Sequence, residues 1–512
     1  MPPFRYRLIV WTFAIGVMAL TCLPYLLAWN ATPDGQVYDG FLVGAEDGRS
    51  YVGKMRLGLR GEWNFHLFYT DEDHDSAPLL FLPYIGAGQA VRLIPSAGTG
   101  ALLWAYHIMR VIFGLAVIVV TADFIRRTLA HDQLLALVLV TLGGGLGVIL
   151  FAFGQTPPEF YIPEAFSFLA LFSLPHLLLA RVAMLGGLML LLSSASVRGR
   201  AVWAGALWWI TGLAVPFYLA ILYALLGVWG LLVWARGRRF PLQLFWRCLV
   251  AAGVTLPLFG YNLWVFSANA AFAQWSAQNI LPAPPVWHYA LAYLPYLIFA
   301  AWGVRQAWRS GNERALLMVA WAACGLVLVY LPISIQRRLA EGVLLPLVIL
   351  ALWGIQASTP VRDFRRIALL ALALPTTLFF YVGMLAVAPT GSNSTLYTSS
   401  ALIDALGWIQ TESPVTERGA VILADYESGN RIPMVSDLRT YVGHGPETLD
   451  SERKKVEVAA YFADTLTPAA RAALYPHADY VLFNTPPPAW ANNELTAVYA
   501  PGGIFVYRVV RP

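Results

Sequence analysis

The chain has 512 residues, of which 58% are hydrophobic and 12% charged, with a formal charge of +5 and a mean hydropathy of +0.60. A soluble globule is roughly a quarter charged, so this composition excludes a wholly soluble protein and implies a chain solvated largely by lipid. Its three cysteines, Cys22, Cys248 and Cys324, all lie in apolar runs, which excludes a disulfide framework and a cysteine-based metal site.

The first apolar run, near 8–28, is long enough to span a bilayer and lacks a small-residue cleavage site, so it reads as an anchor. Further runs near 100–121, 133–153, 172–193, 201–218, 219–235, 248–266, 288–304, 315–333, 343–359 and 367–388 bring the expected total to about eleven spans. Arginines cluster in alternate connections: Arg5/Arg7, Arg126/Arg127, Arg198/Arg200, Arg236/Arg238/Arg239/Arg247, Arg305/Arg309/Arg314 and Arg362/Arg365/Arg366. The positive-inside rule makes these connections cytoplasmic. The N-terminus is then inside, and residues 29–99, 267–287 and the tail from 389 are outside. The expected product is a polytopic transmembrane helical bundle, mainly α, in the plasma membrane.

The first outside segment contains "YDGFLVGAEDGRSYVGKMRLGLRGEWNFHLFYTDEDHDSAPLLFLPY", residues 38–84. Asp39, Glu46 and Asp47 follow the first span closely, which puts them near the outer membrane surface. A carboxylate there suits a general base that takes a proton from a hydroxyl or amine. The same stretch also reads as an amphipathic interfacial helix starting near Gly48, with Met55 and Leu59 four apart and Arg56 and Arg60 beside them. In "TDEDHDSAP", His74 and Asp75 are weak candidates for a divalent cation, against the simpler reading of a solvated acidic loop. No Walker motif, dinucleotide-binding glycine pattern or nucleophile elbow is present, so a nucleotide-sugar donor has no recognisable docking site.

Arg110 stands in mid-span with His107 one turn earlier, where a charge faces a cavity, a partner or a bracing carboxylate. Arg181 poses the same question. Glu164, in "YIPEAF", and His176 either line an external cavity or serve as a loop acid and a helix–helix hydrogen bonder. Trp275 and Asn279, in the 267–287 loop, either contact a sugar or anchor the loop. Arg337 and Arg338 form an arginine pair in a short outside connection, at the level of lipid phosphates, whose oxygens match the guanidinium fork.

The composition changes at the tail. "RGAVILADYESG" and "ADYVLFN" read as buried strands, "DSERKKVEVAAYFADTL" as a helix, and "LTAVYAPGGIFVYRVV" as a hairpin with a Pro-Gly-Gly turn. The expected division is a membrane domain over 1–390, including the loop 29–99, and a small extracytoplasmic α/β domain over 391–512. His444 and Glu447, in "GHGPET", sit in that tail, as a simple turn or as part of an acceptor site.

The pattern Asp47, Tyr51, Arg56, Gly61, Trp63, followed by Pro78-Leu79, Arg110, the Arg337/Arg338 loop and Pro346, resembles the GT-C superfamily of polytopic glycosyltransferases. Within it, the chain resembles the aminoarabinose transferase and protein O-mannosyltransferase group. Gly48 stands where the pattern carries a second acidic residue, leaving Glu46 to take that place. The resemblance implies a polyprenyl-phosphate-linked sugar as donor and a lipid, glycan or protein as acceptor. It also implies Asp47 as base, with Glu46 beside it, and the donor phosphate at Arg337, Arg338 and Arg110. Asp39, Tyr51, Arg56, His74, Glu164, His176, Trp275, Asn279 and His444 are the cavity candidates. The membrane is the medium, no nucleic acid is expected as partner, and no cofactor is required beyond the metal left open at His74 and Asp75. The competing reading is a transporter or flippase, which would also keep charges within the membrane.

Overall fold

The computed structural model describes residues 3–193, 197–356, 361–391, 394–412 and 419–510, with the Pro3, Val197, Arg198 and Ser394 side chains left aside. The Arg198 assignment and the end of the span expected at 343–359 therefore fall outside the described residues.

Every expected span lands on a helical segment. These are α1 (Pro3–Asn30), α4 (Thr99–Thr128), α5 (Gln133–Leu142), α6 (Ser167–Ser173) running into α7 (Pro175–Leu191), and α8 (Val197–Ala214). They continue with α9 (Tyr218–Gly237), α10 (Leu242–Ala268), α12 (Val286–Ser310), α13 (Glu313–Val327), α14 (Leu344–Gln356), and α15 (Arg362–Ala373) with α16 (Pro375–Val387). Among the described residues, seven helical stretches are long and apolar enough to cross a membrane, and two shorter apolar helices, α7 and α14, accompany them. The chain is thus a multi-pass membrane protein. Prolines account for some of the breaks: Pro175 opens α7 and Pro375 opens α16, where a missing N–H costs nothing.

Two compact units result. The first comprises Met1–Leu23, His107–Leu263 and Ile280–Val387. Its interior is aromatic and aliphatic, with Trp208, Trp229 and Trp321 wholly enclosed. The second comprises Pro24–Tyr106, Trp264–Asn279 and Ala388–Pro512, so the first long connection packs with the tail. The division expected at 390 had left that connection with the membrane helices.

In the second unit, β1 (Gln36–Tyr38) pairs antiparallel with β2 (Tyr397–Ser399), joining the two segments at their bases. Helices α2 (Ala45–Leu59) and α3 (Leu82–Val91) follow, with α11 (Ala270–Gln278) contributed from the middle of the chain. Gly58 and Gly88 let α2 and α3 touch: a Cβ at Gly88 would lie 1.8 Å from the Met55 carbonyl oxygen. The tail adds α17 (Ser400–Glu412), β3 (Val421–Leu423), α18 (Tyr426–Val435), β4 (Arg439–Thr440), α19 (Ser451–Phe462), β5 (Tyr480–Phe483), β6 (Thr496–Tyr499) and β7 (Phe505–Arg508). These form a five-stranded sheet in the order β4-β3-β5-β7-β6, parallel across β4, β3 and β5 and antiparallel beyond. Strands β3 and β5 are buried at every residue, as parallel strands covered on both faces must be. The hairpin expected at the end is β6–β7, turning through Gly502 and Gly503 at positive φ.

Candidate active site

Helix α2 starts at Ala45, three residues earlier than the periodicity suggested, because Gly44 adopts a left-handed conformation (φ 61°) that sets the first turn. Glu46 and Asp47 therefore lie in that first turn, where backbone N–H groups favour the ionised carboxylate. The helix is no surface element: Arg49, Ser50, Val52, Lys54 and Met55 are all buried. Gly48, where the pattern that the sequence resembles carries an acidic residue, has a direct cause. A Cβ there would meet the Phe41 ring at 2.3 Å, so a glutamate cannot be seated without displacing that ring.

Asp47 is 49% exposed, and its Oδ1 lies 3.0 Å from His444 Nε2. His444 is buried, with Nδ1 at 3.7 Å from Glu447 Oε1. That same oxygen accepts from Ser50 Oγ at 2.8 Å and Lys54 Nζ at 2.6 Å. Lys54 is fully enclosed, with Nζ 4.0 Å from the centroid of the Phe81 ring. Burial drives the Lys54 ammonium pKa below its usual value, against the opposing pull of Glu447. For His444, burial works to lower the pKa, but the hydrogen bond to Asp47 and the Glu447 charge outweigh it and hold the imidazole above its ordinary value. The result is one accessible carboxylate mounted on a buried chain of charged partners. Glu46 is exposed and accepts from the Tyr426 hydroxyl at 3.2 Å.

The other residues of this unit are placed as follows. Asp39 is wholly buried, accepting from Arg49 Nε at 2.9 Å, Arg49 Nη2 at 2.7 Å and Thr398 Oγ1 at 2.5 Å, with Arg431 Nε 3.6 Å away. It locks β1 to α2, β2 and α18. Tyr51 stacks on Tyr84, with ring centroids 4.6 Å apart. Arg56 donates to Asp437 Oδ1 at 2.8 Å and to Thr99 Oγ1 at 3.2 Å. His74 uses both ring nitrogens within its loop: Nε2 lies 2.9 Å from the Leu67 amide and Nδ1 lies 2.9 Å from the Glu72 carbonyl. With Asp75 it lines a cleft of about 1150 Å³ that also holds Asp71, Arg439 and His477. Among the described residues, no group of three or more His, Cys, Asp or Glu is arranged to hold a metal ion. Trp275 is buried in an aromatic cluster with Phe65, Phe81 and Phe272, and Asn279 caps the end of α11.

The first unit contains the arginines. Arg181 and Glu341 form a buried bidentate pair at 2.6 and 2.9 Å, and the Tyr218 hydroxyl also donates to Glu341. Arg181 further donates to the Pro163 and Glu164 carbonyls at 3.3 Å each, while Gly342 N–H donates to the Glu164 carbonyl at 3.0 Å. This clamp ties the loop bearing Glu164 to the loop bearing Arg337 and Arg338. Arg338 is about one-third exposed, with Nε 3.9 Å from Glu164 Oε1. Burial pushes the Glu164 carboxyl up to about 7, against the pull of Arg338. The Arg337 guanidinium sits 5.4 Å from the Tyr161 ring centroid, and the Arg337 backbone N–H donates to the Leu281 carbonyl. Arg110 is 1% exposed and donates to Thr21 Oγ1 at 2.9 Å, the Leu171 carbonyl at 3.2 Å and Cys22 Sγ at 3.2 Å, bracing α1, α4 and α6. His176 is half-buried in the first turn of α7.

The pairing of Glu341 with Arg181 is not legible from either residue's neighbours in the chain. A signal existed: a lone Glu beside one apolar helix and a lone Arg inside another are opposite charges that lipid compels to pair. Lys54 carried a weaker one, as one of only three lysines in the chain.

No protein-family model matches the chain, and neither does any curated protein. Solved structures do. The chain is similar to ArnT from Cupriavidus metallidurans, crystallised bound to undecaprenyl phosphate, at 16% identity and a TM-score of 0.54, covering 98% of each chain. It is also similar to the Archaeoglobus fulgidus oligosaccharyltransferase with a tethered acceptor peptide, at 12% identity and a TM-score of 0.52, covering 98% of this chain and 74% of that one. Another structure of the latter contains zinc and sulfate. At these identities the likeness is one of fold alone.

Proposed function

We propose that the protein is a membrane glycosyltransferase that moves a sugar from a polyprenyl-phosphate-linked donor to an acceptor on the extracytoplasmic face, with Asp47 as general base. The observation that carries this reading is the Asp47 arrangement, a half-exposed carboxylate at a helix start, fixed by a buried histidine, within a GT-C fold. The alternating arginine clusters support placing the 29–99 connection and the tail outside.

In this reaction the acceptor's oxygen or nitrogen attacks the anomeric carbon while its proton passes to Asp47. The bond from that carbon to the phosphate oxygen breaks, and its electron pair leaves with polyprenyl phosphate. The protein supplies positioning, a base and a counter-charge to the leaving phosphate. Arg338 suits the last task because its ion pair with Glu164 is long at 3.9 Å, so its donors are not saturated by that carboxylate.

Arg338→Ala is expected to weaken binding of undecaprenyl phosphate to the protein in nanodiscs roughly 10- to 100-fold, the worth of a charge-assisted hydrogen bond. Arg338→Lys should recover only part of it, because the fork is lost. Binding unchanged in Arg338→Ala would remove this residue from the donor site.

A further inference from the structure

We infer that His444 is a positioning residue for the base: its Nε2–H holds Oδ1 of Asp47, leaving Oδ2 as the oxygen that takes the acceptor's proton. The inference rests on the proposed transferase reading and adds to it a residue 397 positions from the base in sequence.

The assignment follows from donor and acceptor chemistry. An ionised carboxylate only accepts, so at 3.0 Å the proton of this hydrogen bond belongs to His444 Nε2. The imidazole is itself held. The His444 backbone carbonyl accepts from Thr448 Oγ1 at 3.2 Å and from the Glu447 N–H at 3.0 Å, which sets the short turn Gly445–Glu447. The ring lies 5.8 Å from the Tyr69 ring, and the next residue, Gly445, donates its N–H to the Tyr426 hydroxyl. The Glu447 carboxylate is pinned by Ser50 and Lys54, both on the helix that carries Asp47. A chain of close polar contacts, Asp47–His444–Glu447–Lys54, buried beyond Asp47, therefore starts and ends on α2 and holds the exposed carboxylate at its angle. A misplacement of about 1 Å at a reacting group can cost 10²-fold in rate, which is the scale such a brace controls.

The charge of the imidazole has a consequence of definite sign. The titratable and charged groups facing it are Asp47, Lys54 and Tyr69 from the neighbouring elements and Glu447 from its own turn. Below the His444 pKa, the imidazolium holds Asp47 to a weaker basicity. As pH rises through that pKa, above the usual ~6.5, the positive charge beside Asp47 is lost. The kcat of the wild type should therefore gain a step in this range.

The test uses the full chain in nanodiscs, with a panel of undecaprenyl-phosphate monosaccharides as donors. His444→Ala is expected to lower kcat roughly 10- to 100-fold with little change in donor KM. His444→Gln, whose amide nitrogen reaches about the same point, should restore most of the rate, and both variants should lose the pH step. A parallel titration of ¹⁵N-labelled histidine by NMR reads the contact without any turnover: Asp47→Asn should lower the His444 pKa. Wild-type kcat in His444→Ala, a KM effect in place of a kcat effect, or a pKa insensitive to Asp47→Asn would overturn the inference. If no donor in the panel is consumed by the wild type while the NMR shift is present, the contact stands and the transferase reading is what fails.

Discussion

Asp47→Asn is expected to lower sugar transfer by ~10²–10⁴-fold, the usual contribution of a general base, while binding of undecaprenyl phosphate stays at the wild-type level. The amide preserves size and can still meet His444, so the fold should survive; only the proton-accepting oxygen is removed. Glu46→Gln supplies the contrast. Glu46 is exposed and bonded to the Tyr426 hydroxyl rather than to the buried chain, so its loss should cost less than ten-fold. Steady-state rates on a consumed donor, with binding measured on the same preparations, separate the two roles. Equal losses in both variants would assign the base to the acidic pair rather than to Asp47.

Glu341→Leu is expected to be the most destabilising single change in the first unit. Arg181 and Glu341 are 7% and 0% exposed, and the removal of one partner leaves a buried guanidinium without its bidentate carboxylate. The expected cost is about 3–5 kcal/mol, read as a marked fall in the apparent melting temperature in detergent. The double variant Arg181→Met/Glu341→Leu should recover much of this, since apolar side chains of similar volume replace a charged pair at little or no cost. The double variant would still lose the Arg181 bonds to the Pro163 and Glu164 carbonyls. Donor binding is therefore expected to remain impaired after stability returns, because the loop bearing Glu164 is no longer clamped. A double variant as unstable as the single would show that the clamp's hydrogen bonds, rather than the unpaired charge, carry the effect.

Local signals were read well from sequence, and non-local ones were not. Apolar run length located each helical segment, because a lipid-solvated helix must satisfy its backbone internally and shows itself in composition. The tail strands were visible for a similar reason: Val421–Leu423 and Tyr480–Phe483 are short, wholly apolar runs between turn residues. Asp47 stands out in the sequence by its closeness to the first span and by the pattern it resembles. His444 is legible in the sequence only as a turn residue or a cavity candidate, because nothing within a window of residues links positions 47 and 444. Asp39 illustrates the same limit. Its closeness to the first span made it resemble a cavity residue, whereas Arg49, Thr398 and Arg431 enclose it, and two of these come from the far end of the chain. The apparent amphipathicity of α2 misled because alternating charge and apolar residues fit an interfacial helix as well as one whose charges are buried in pairs. Gly48 is the counterexample: a departure from pattern that only the Phe41 ring explains.

The central claim is bond cleavage at a lipid-linked sugar, as opposed to its passage across the membrane. Purified protein in proteoliposomes, supplied with undecaprenyl-phosphate monosaccharides labelled in the sugar, tests it by mass spectrometry. The account predicts free undecaprenyl phosphate and labelled sugar on an acceptor or water, both lost in Asp47→Asn. Intact labelled donor recovered from the opposite leaflet, with no free undecaprenyl phosphate, would contradict it and identify a flippase.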